Sequence, residues 1–382
     1  MTDNPYGCDP AAVTLANWRA RPHSQWAFQN VAMLVPSAPI TGGGGGELPG
    51  EPTLSLADVP VGPHGMAAPE FLAACEADEL LVVKRGQVAA RWRAPYRVAS
   101  RPHIAFSISK SITGVIAGIM ADYGVLDVEK TIAHYVPAAA HSGYGDCSVR
   151  NLLDMRVSLN FSEEYLNEDG DYARYRRAML WNPAPPGYDV EPLAEMLQSL
   201  KKGEGEHGGV FRYLSPNSDM LGLVLEAITG AKFADLVSEL LWQPLGCGDA
   251  QITVDGVGGP RTAGGISTYT DDLARLGLML MAGGEGIVSE AWVADMKAAG
   301  DRAAWAASDF ADFIPGGRYR GQWYQFPAPS QAFMAVGIHG QWLYADPERD
   351  VVIVMLSSQA EPQDDEKDVI AINFLKQIAA IA

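Results

Sequence analysis

Apolar and polar positions along the chain fall into two kinds of stretch. Near both ends, short continuous apolar runs flank polar turns. Leu80-Leu81-Val82-Val83 and Val88-Ala89-Ala90-Arg91-Trp92 flank Lys84-Arg85-Gly86-Gln87. Trp342-Leu343-Tyr344-Ala345 and Val351–Leu356 flank Asp346-Pro347-Glu348-Arg349-Asp350. Each pattern predicts a β-hairpin, because β-branched and aromatic runs bounded by Gly, Asp or Pro read as strands. Between them the apolar period lengthens to that of a helix. Ile112, Val115, Ile116, Ile119 and Met120 fall at helical spacing in a helix predicted from Ser107 to Tyr123, with Gly124 closing it. Ser148–Met155 and Asn217–Ile228 repeat the pattern, the second ended by Gly230, and Asp368–Ala379 predicts a final amphipathic helix.

Strand signals thus cluster at both ends with helices in the middle, and no internal repeat is present. Antiparallel hairpins predict an α+β fold, an antiparallel sheet flanked by helices with a mostly helical insertion, and not a doubly wound parallel one. Residues 1–70 read as an irregular wrap on the main body. Residues 71–125 with 261–382 read as an α/β domain holding the sheet, and 126–260 as a mostly helical domain, with the active site between the two. The run Gly42–Gly46 predicts a flexible loop in the wrap, while Trp18, Trp26, Phe28, Met33 and Leu34 predict that the rest of it is packed.

Composition narrows the partners. The chain has 382 residues, 48% hydrophobic and 19% charged, which is a globular balance large enough to fold without disulfides or metals. Its net charge of −18 repels nucleic acid and anionic membrane surfaces. Cys8, Cys75, Cys147 and Cys247 lie far apart and none forms a CxxC, while the histidines show no metal-ligand spacing, so neither metal nor organic cofactor is expected. The acidic, polar start Met1-Thr2-Asp3-Asn4-Pro5 lacks the basic and apolar segments of a signal peptide, and no apolar run reaches the ~18 residues of a membrane span. The expectation is a cytoplasmic protein with reduced thiols; a homodimer is compatible with the sequence.

Two motifs are set aside. Gly203, Gly205 and Gly208 match a dinucleotide fingerprint, but a helical stretch precedes them, and Glu204 and Glu206 would repel a pyrophosphate. Ser199-Leu200-Lys201-Lys202 has Ser-x-x-Lys spacing but runs into Gly203-Glu204-Gly205 and cannot open a helix. The informative segment is Phe106-Ser107-Ile108-Ser109-Lys110-Ser111-Ile112-Thr113-Gly114. Three residues apart on a helix, Ser107 and Lys110 share a face. A serine hydroxyl needs a base to become a nucleophile, and a lysine serves if burial or a positive field lowers its pKa. The alternative is a serine N-cap beside a solvated lysine. It fits poorly with a helix apolar on nearly every face, because such a helix rarely holds an unpaired lysine.

The segment resembles the first motif of the penicillin-recognising serine hydrolases: serine β-lactamases, DD-peptidases and related esterases. The resemblance implies a β-lactamase/transpeptidase-like fold. Tyr213-Leu214-Ser215, ahead of an apolar helix, matches the second motif. Counting back from Asp346-Pro347-Glu348 puts the third at Ala335-Val336-Gly337, where Ala335 replaces the usual cation and Gly337 is kept. Within the superfamily the sequence is similar to the 6-aminohexanoate-dimer hydrolases, amidases with esterase activity that cleave nylon oligomers. The similarity covers nearly the whole chain. It includes Trp26-Ala27-Phe28 with Val35-Pro36-Ser37, Leu153-Asp154-Met155, Glu164-Tyr165, Gly337-Ile338-His339-Gly340-Gln341 and Leu356-Ser357-Ser358.

The resemblance implies a serine hydrolase that cleaves small amides or esters through an acyl-enzyme. Ser107 would attack, Lys110 would take its proton, and Tyr213 would relay a proton to the leaving group and help hold Lys110 deprotonated. The N–H groups of Ser107 and Ile338 would form the oxyanion hole. Tyr165 on a mobile loop, Trp181, Ser215, Gly337 and His339 would meet the substrate, His339 orienting Gln341 or substrate, or only capping a strand. Residues 167–177 depart from the relatives and carry Arg174, Arg176 and Arg177. The remaining alternatives are a β-lactamase-like carboxylesterase with little amidase activity, and a catalytically silent ligand-binding relative. The complete Ser107/Lys110/Tyr213 set argues against the latter.

Overall fold

The continuous apolar runs form strands covered on both faces. A computed structural model describes residues 4–62 and 65–382. Its main sheet has strands Ala77–Lys84 (β1), Gln87–Arg93 (β2), Arg318–Arg320 (β3), Trp323–Gln325 (β4), Phe333–Gly337 (β5), Gln341–Asp346 (β6) and Val351–Ser357 (β7). Their order is β3-β4-β5-β6-β7-β1-β2, and every neighbouring pair is antiparallel. Both predicted hairpins are present. The first turns through Arg85 (φ 51°) and Gly86 (φ 73°), the left-handed pair that matches strand twist in a two-residue connection.

The helices that matter here are Ile108–Asp122 (α1), Asp171–Ala178 (α2), Ser215–Thr229 (α3), Thr270–Met281 (α4) and Asp365–Ile381 (α5). One sheet face carries Leu81, Val83, Leu343, Val352 and Val354 and packs against α1 and α4. The other carries Leu80, Val82, Trp342, Ile353 and Met355 and packs against α5 and the short helix Ala68–Ala74. Burial on both faces is why these strands show no alternation of apolar and polar residues.

Helix ends differ from the predicted ones for local reasons. The last helix starts at Asp365 rather than Asp368, because the Asp364 carboxylate caps it by accepting the Lys367 N–H at 3.1 Å. The Asn217 helix opens two positions earlier, with Pro216 in the first turn where its missing N–H costs nothing. Val149–Leu153 stops short of Met155, whose φ is 53°.

The N-terminal segment contributes one strand to a second sheet. Ser37–Ile40 joins a four-stranded sheet with Ala250–Thr253, Ile266–Thr268 and His103–Ile104. Trp18 and Phe28 are fully buried, but Met33 is 73% exposed and adds nothing to the core. The glycine run is pinned, not a free loop. Gly43 N–H donates to the Cys247 carbonyl at 2.8 Å and Gly42 N–H to Asp249 at 2.9 Å. A Cβ on Gly42 would come within 2.3 Å of the Cys247 oxygen, so glycine is needed for close approach. Gly203, Gly205 and Gly208 lie in a loop beside the exposed Lys202–Glu206 pair. Among the described residues, no helix is long and apolar enough to cross a membrane.

Candidate active site

Ser107 stands at the turn from the short strand His103–Ile104 into α1. The strand is held by Ile266–Thr268 and by the Phe28 carbonyl, which accepts the Ile104 N–H at 2.8 Å. The turn forces Phe106 to φ 42°, an uncommon conformation for a bulky residue, costing on the order of 1–3 kcal/mol. Aromatic packing over-determines it. The Phe106 ring lies against Phe28 (4.9 Å between centroids), His339 (5.2 Å), Trp181 (5.9 Å) and Trp18 (6.3 Å). Ser107 occupies the N-cap position, yet its side chain makes no capping bond. Its hydroxyl accepts a hydrogen bond from Lys110 Nζ at 2.7 Å instead.

Lys110 is 1% exposed, and its Nζ also donates to the Ala263 carbonyl at 2.8 Å. Asp219 fixes that carbonyl: its Oδ1 accepts the Ala263 N–H at 2.7 Å, while its Oδ2 pairs with Arg261 and Tyr175. Burial pushes the Lys110 ammonium down to about 7, with Arg261 adding to the effect and Glu163 and Asp219 opposing it. The Tyr213 ring covers Nζ at 4.9 Å from its centroid. Burial drives the Tyr213 phenol far above its ordinary value, Glu163 raises it further, and the adjacent Ser107 hydroxyl works in the other direction. Tyr213 therefore holds its proton throughout the physiological range.

Ser215, in the first turn of α3, does not face an open site. Its N–H and its hydroxyl both donate to the Glu163 carboxylate, the hydroxyl at 2.6 Å. Tyr165 donates to the same carboxylate. Burial raises the Glu163 carboxyl while Lys110 and these donors lower it. Glu163 is the site residue that the sequence did not single out. Its neighbour Glu164 is exposed and bonds only Ser162 and Asn167. No period in this loop tells the two glutamates apart.

Strand β5 runs beside the start of α1. A Cβ on Gly337 would lie 2.7 Å from the Ala105 carbonyl and 3.0 Å from the Ser107 nitrogen, so only glycine lets the strand come this close. The N–H groups of Ser107 and Ile338 donate to no partner among the described residues. Ala335, expected at the third-motif cation position, is fully buried, faces the core shared with α1 and carries no charge. His339 supplies no cation. Its Nδ1–H donates to the Gln359 carbonyl at 2.7 Å, and burial pushes the imidazole down to about 3, leaving it neutral. Trp181 is buried, with Nε1–H on Thr253 Oγ1 at 3.2 Å and its ring against Phe106. Ser199 is far from any such arrangement. Its hydroxyl donates to the Met196 carbonyl and accepts from Arg174, and Lys202 pairs with Asp146.

The structure thus gathers a serine, a depressed lysine, a protonated tyrosine and two free N–H groups at one cleft. Such a set suits acyl transfer. The β-lactamase family profile matches residues 68–376. The chain is 33% identical over 367 residues to a 6-aminohexanoate-dimer hydrolase from Paenarthrobacter ureafaciens, covering 93% of this chain and 91% of that protein. A Bacillus anthracis structure assigned as a 6-aminohexanoate-dimer hydrolase superposes with a TM-score of 0.88 at 25% identity, covering 97% of each chain. A family VIII carboxylesterase shares the fold at a TM-score of 0.58 and 17% identity, over 80% of this chain and 94% of that one. The chain belongs to the β-lactamase family and is a serine hydrolase of that α+β fold.

Proposed function

We propose that the enzyme hydrolyses small esters and amides through an acyl-enzyme on Ser107, as the name of its Paenarthrobacter relative suggests. The observation that carries this reading is the buried Lys110 Nζ at 2.7 Å from the Ser107 hydroxyl. Once Nζ is neutral, the same contact lets Ser107 donate to its lone pair. Ser107 Oγ then bonds the substrate carbonyl carbon as its proton passes to Lys110 (general base catalysis). The carbonyl oxygen takes the negative charge between the N–H groups of Ser107 and Ile338. Tyr213 passes its proton to the leaving oxygen or nitrogen and regains one from the Lys110 ammonium. Water repeats the sequence on the acyl-enzyme and frees the acid. Burial lowers the Lys110 pKa to about 7, so that a neutral fraction is present near neutral pH, with the Tyr213 ring as part of the cover. Tyr165, Trp181, Gly337 and His339 shape the space around the acyl group, and Ser215 contributes by holding Glu163. We place the cleft between the helical region 126–260 and the sheet-bearing remainder.

The test is a fluorophosphonate probe followed by peptide mapping. Label on Ser107, lost in Ser107→Ala, supports the assignment; label on the Ser199 peptide sinks it. A matched pair of ester and amide substrates separates an amidase from a carboxylesterase with little amidase activity. The buried, unpaired thiols of Cys75, Cys147 and Cys247 favour a reducing, cytoplasmic setting. Light scattering on the purified chain tests the homodimer.

A further inference from the structure

The three arginines of residues 167–177 differ in their surroundings. Arg174 pairs with Glu191 through two hydrogen bonds of 2.6 Å. Arg177 lies over the Tyr188 ring at 5.2 Å. Arg176 turns into the protein and lies over the Tyr172 ring at 5.1 Å. It is 9% exposed, its Nε has no hydrogen-bond partner, and no carboxylate among the described residues lies within the 4.0 Å of an ion pair. Arg19, from the N-terminal segment, lines the same recess. It donates only to neutral acceptors, the Trp181 carbonyl at 3.0 Å and the Asn182 side chain. Burial and then repulsion from Arg176 push Arg19 down to about 9. Two guanidiniums therefore share a recess in which neither is paired with a carboxylate, an arrangement that costs stability unless an anion completes it. Glu168 and Glu361 also line it, both exposed and neither at ion-pair distance, although Glu168 is near enough to favour the charged form of Arg176. His339, neutral, adds no charge.

The recess opens at Tyr165 and Ile338, which also border a second arm of the cleft lined by Tyr213. That arm carries Asp309, Asp312, Asp365 and Asp368 and has no basic residue in its lining. The first arm holds two arginines and two exposed glutamates, whereas the charged side chains of the second are all carboxylates. We propose that the Arg19/Arg176 recess binds a carboxylate on the acyl part of the substrate, so that the preferred substrates are half-esters or half-amides of short dicarboxylic acids. The orientation rests on the reading above. Tyr213 protonates the leaving group and lines only the acidic arm, so the leaving group lies there and the acyl chain lies in the arm that holds the arginines. The protein's net charge of −18 repels anions at long range, so the two arginines must supply the local attraction.

Three adipate-length 4-nitrophenyl esters test this: the free half-ester, its methyl ester, and the 6-aminohexanoate ester. The half-ester is expected to exceed the methyl ester in kcat/KM by about tenfold or more, with the amino ester lowest. Arg176→Gln is expected to bring the half-ester to methyl-ester ratio to within about threefold of unity. Equal rates in the wild type, or a preference that survives Arg176→Gln, would overturn the proposal. Should the variant not fold, adipate and adipamide as inhibitors of methyl-ester hydrolysis by the wild type decide the point. Competitive inhibition by adipate alone supports it; equal inhibition, none, or a noncompetitive effect of adipate overturns it. If none of the three esters acylates Ser107 in intact-mass spectra, the serine-hydrolase reading itself has failed.

Discussion

Tyr165 and Glu163 form a pair over the site: the phenol donates to the Glu163 carboxylate at 3.0 Å, and that carboxylate is the main charge opposing the depression of Lys110. Removing the charge while keeping the acceptor, as in Glu163→Gln, therefore lowers the Lys110 pKa further. The acidic limb of the kcat/KM profile is expected to move to lower pH. A limb that stays put or moves up would show that Glu163 and Lys110 are not coupled.

Wild-type activity has a definite sign with pH. The base form of Lys110 is the unprotonated one, and burial has brought its pKa to about 7. kcat/KM is expected to rise with pH through that region and then level off. Arg keeps the charge and does not deprotonate, so Lys110→Arg should cost at least ~10²-fold in kcat. Near-normal turnover by this variant would remove Lys110 from the mechanism.

An amine leaving group must be protonated as it departs, whereas an alkoxide needs this less. Tyr165 lines both arms of the cleft. Tyr165→Phe is expected to lower amidase activity more than esterase activity on a matched pair. Equal losses would reduce Tyr165 to packing.

Much of this was legible from residue order. The two hairpins and α1 showed because their apolar runs and caps are local. Ser107 stood apart from Ser199 because one opens an apolar helix and the other runs into glycines. Three features were not legible. Glu163 and Glu164 are chemically identical in a loop without periodicity. Arg174, Arg176 and Arg177 share one short helix, and only tertiary neighbours decide that Arg174 meets Glu191 while Arg176 goes unpaired. The pinning of Gly42–Gly46 depends on residues 246–249, distant in sequence.

Phe106 offers a stability test. Its φ of 42° is held by Phe28 and Trp18 from the N-terminal segment. Phe28→Ala should cost about 3–5 kcal/mol in chemical denaturation, the usual loss for a buried aromatic. It should also reduce kcat in the protein that remains folded. A stable variant with full activity would show that the aromatic box does not set Ser107.

The enzyme is expected to be a poor β-lactamase. The carboxylate of a penicillin sits on the side of the leaving nitrogen, which here meets Asp309, Asp312, Asp365 and Asp368, and Ala335 supplies no cation. A missing charge-assisted hydrogen bond of roughly 1.5–3 kcal/mol is worth one to two decades. Nitrocefin should show a lower kcat/KM than a short 4-nitrophenyl ester on the same preparation, and the reverse order would contradict the argument.

The position of β7 bears on how the protein is made. β7 is built from residues 351–357 and lies between β6 and β1 in the middle of the sheet. During synthesis β1 and β2 leave the ribosome long before their central partner exists. Until then the β1 edge, carrying Leu80-Leu81-Val82-Val83, has unpaired backbone groups on one side and apolar side chains without their cover. Sheet closure must wait for nearly the whole chain, which slows folding and leaves a nascent hairpin open to wrong pairing. Chains released early, by a premature stop or a break ahead of residue 351, lack the central strand and are expected to aggregate rather than persist as partly active fragments.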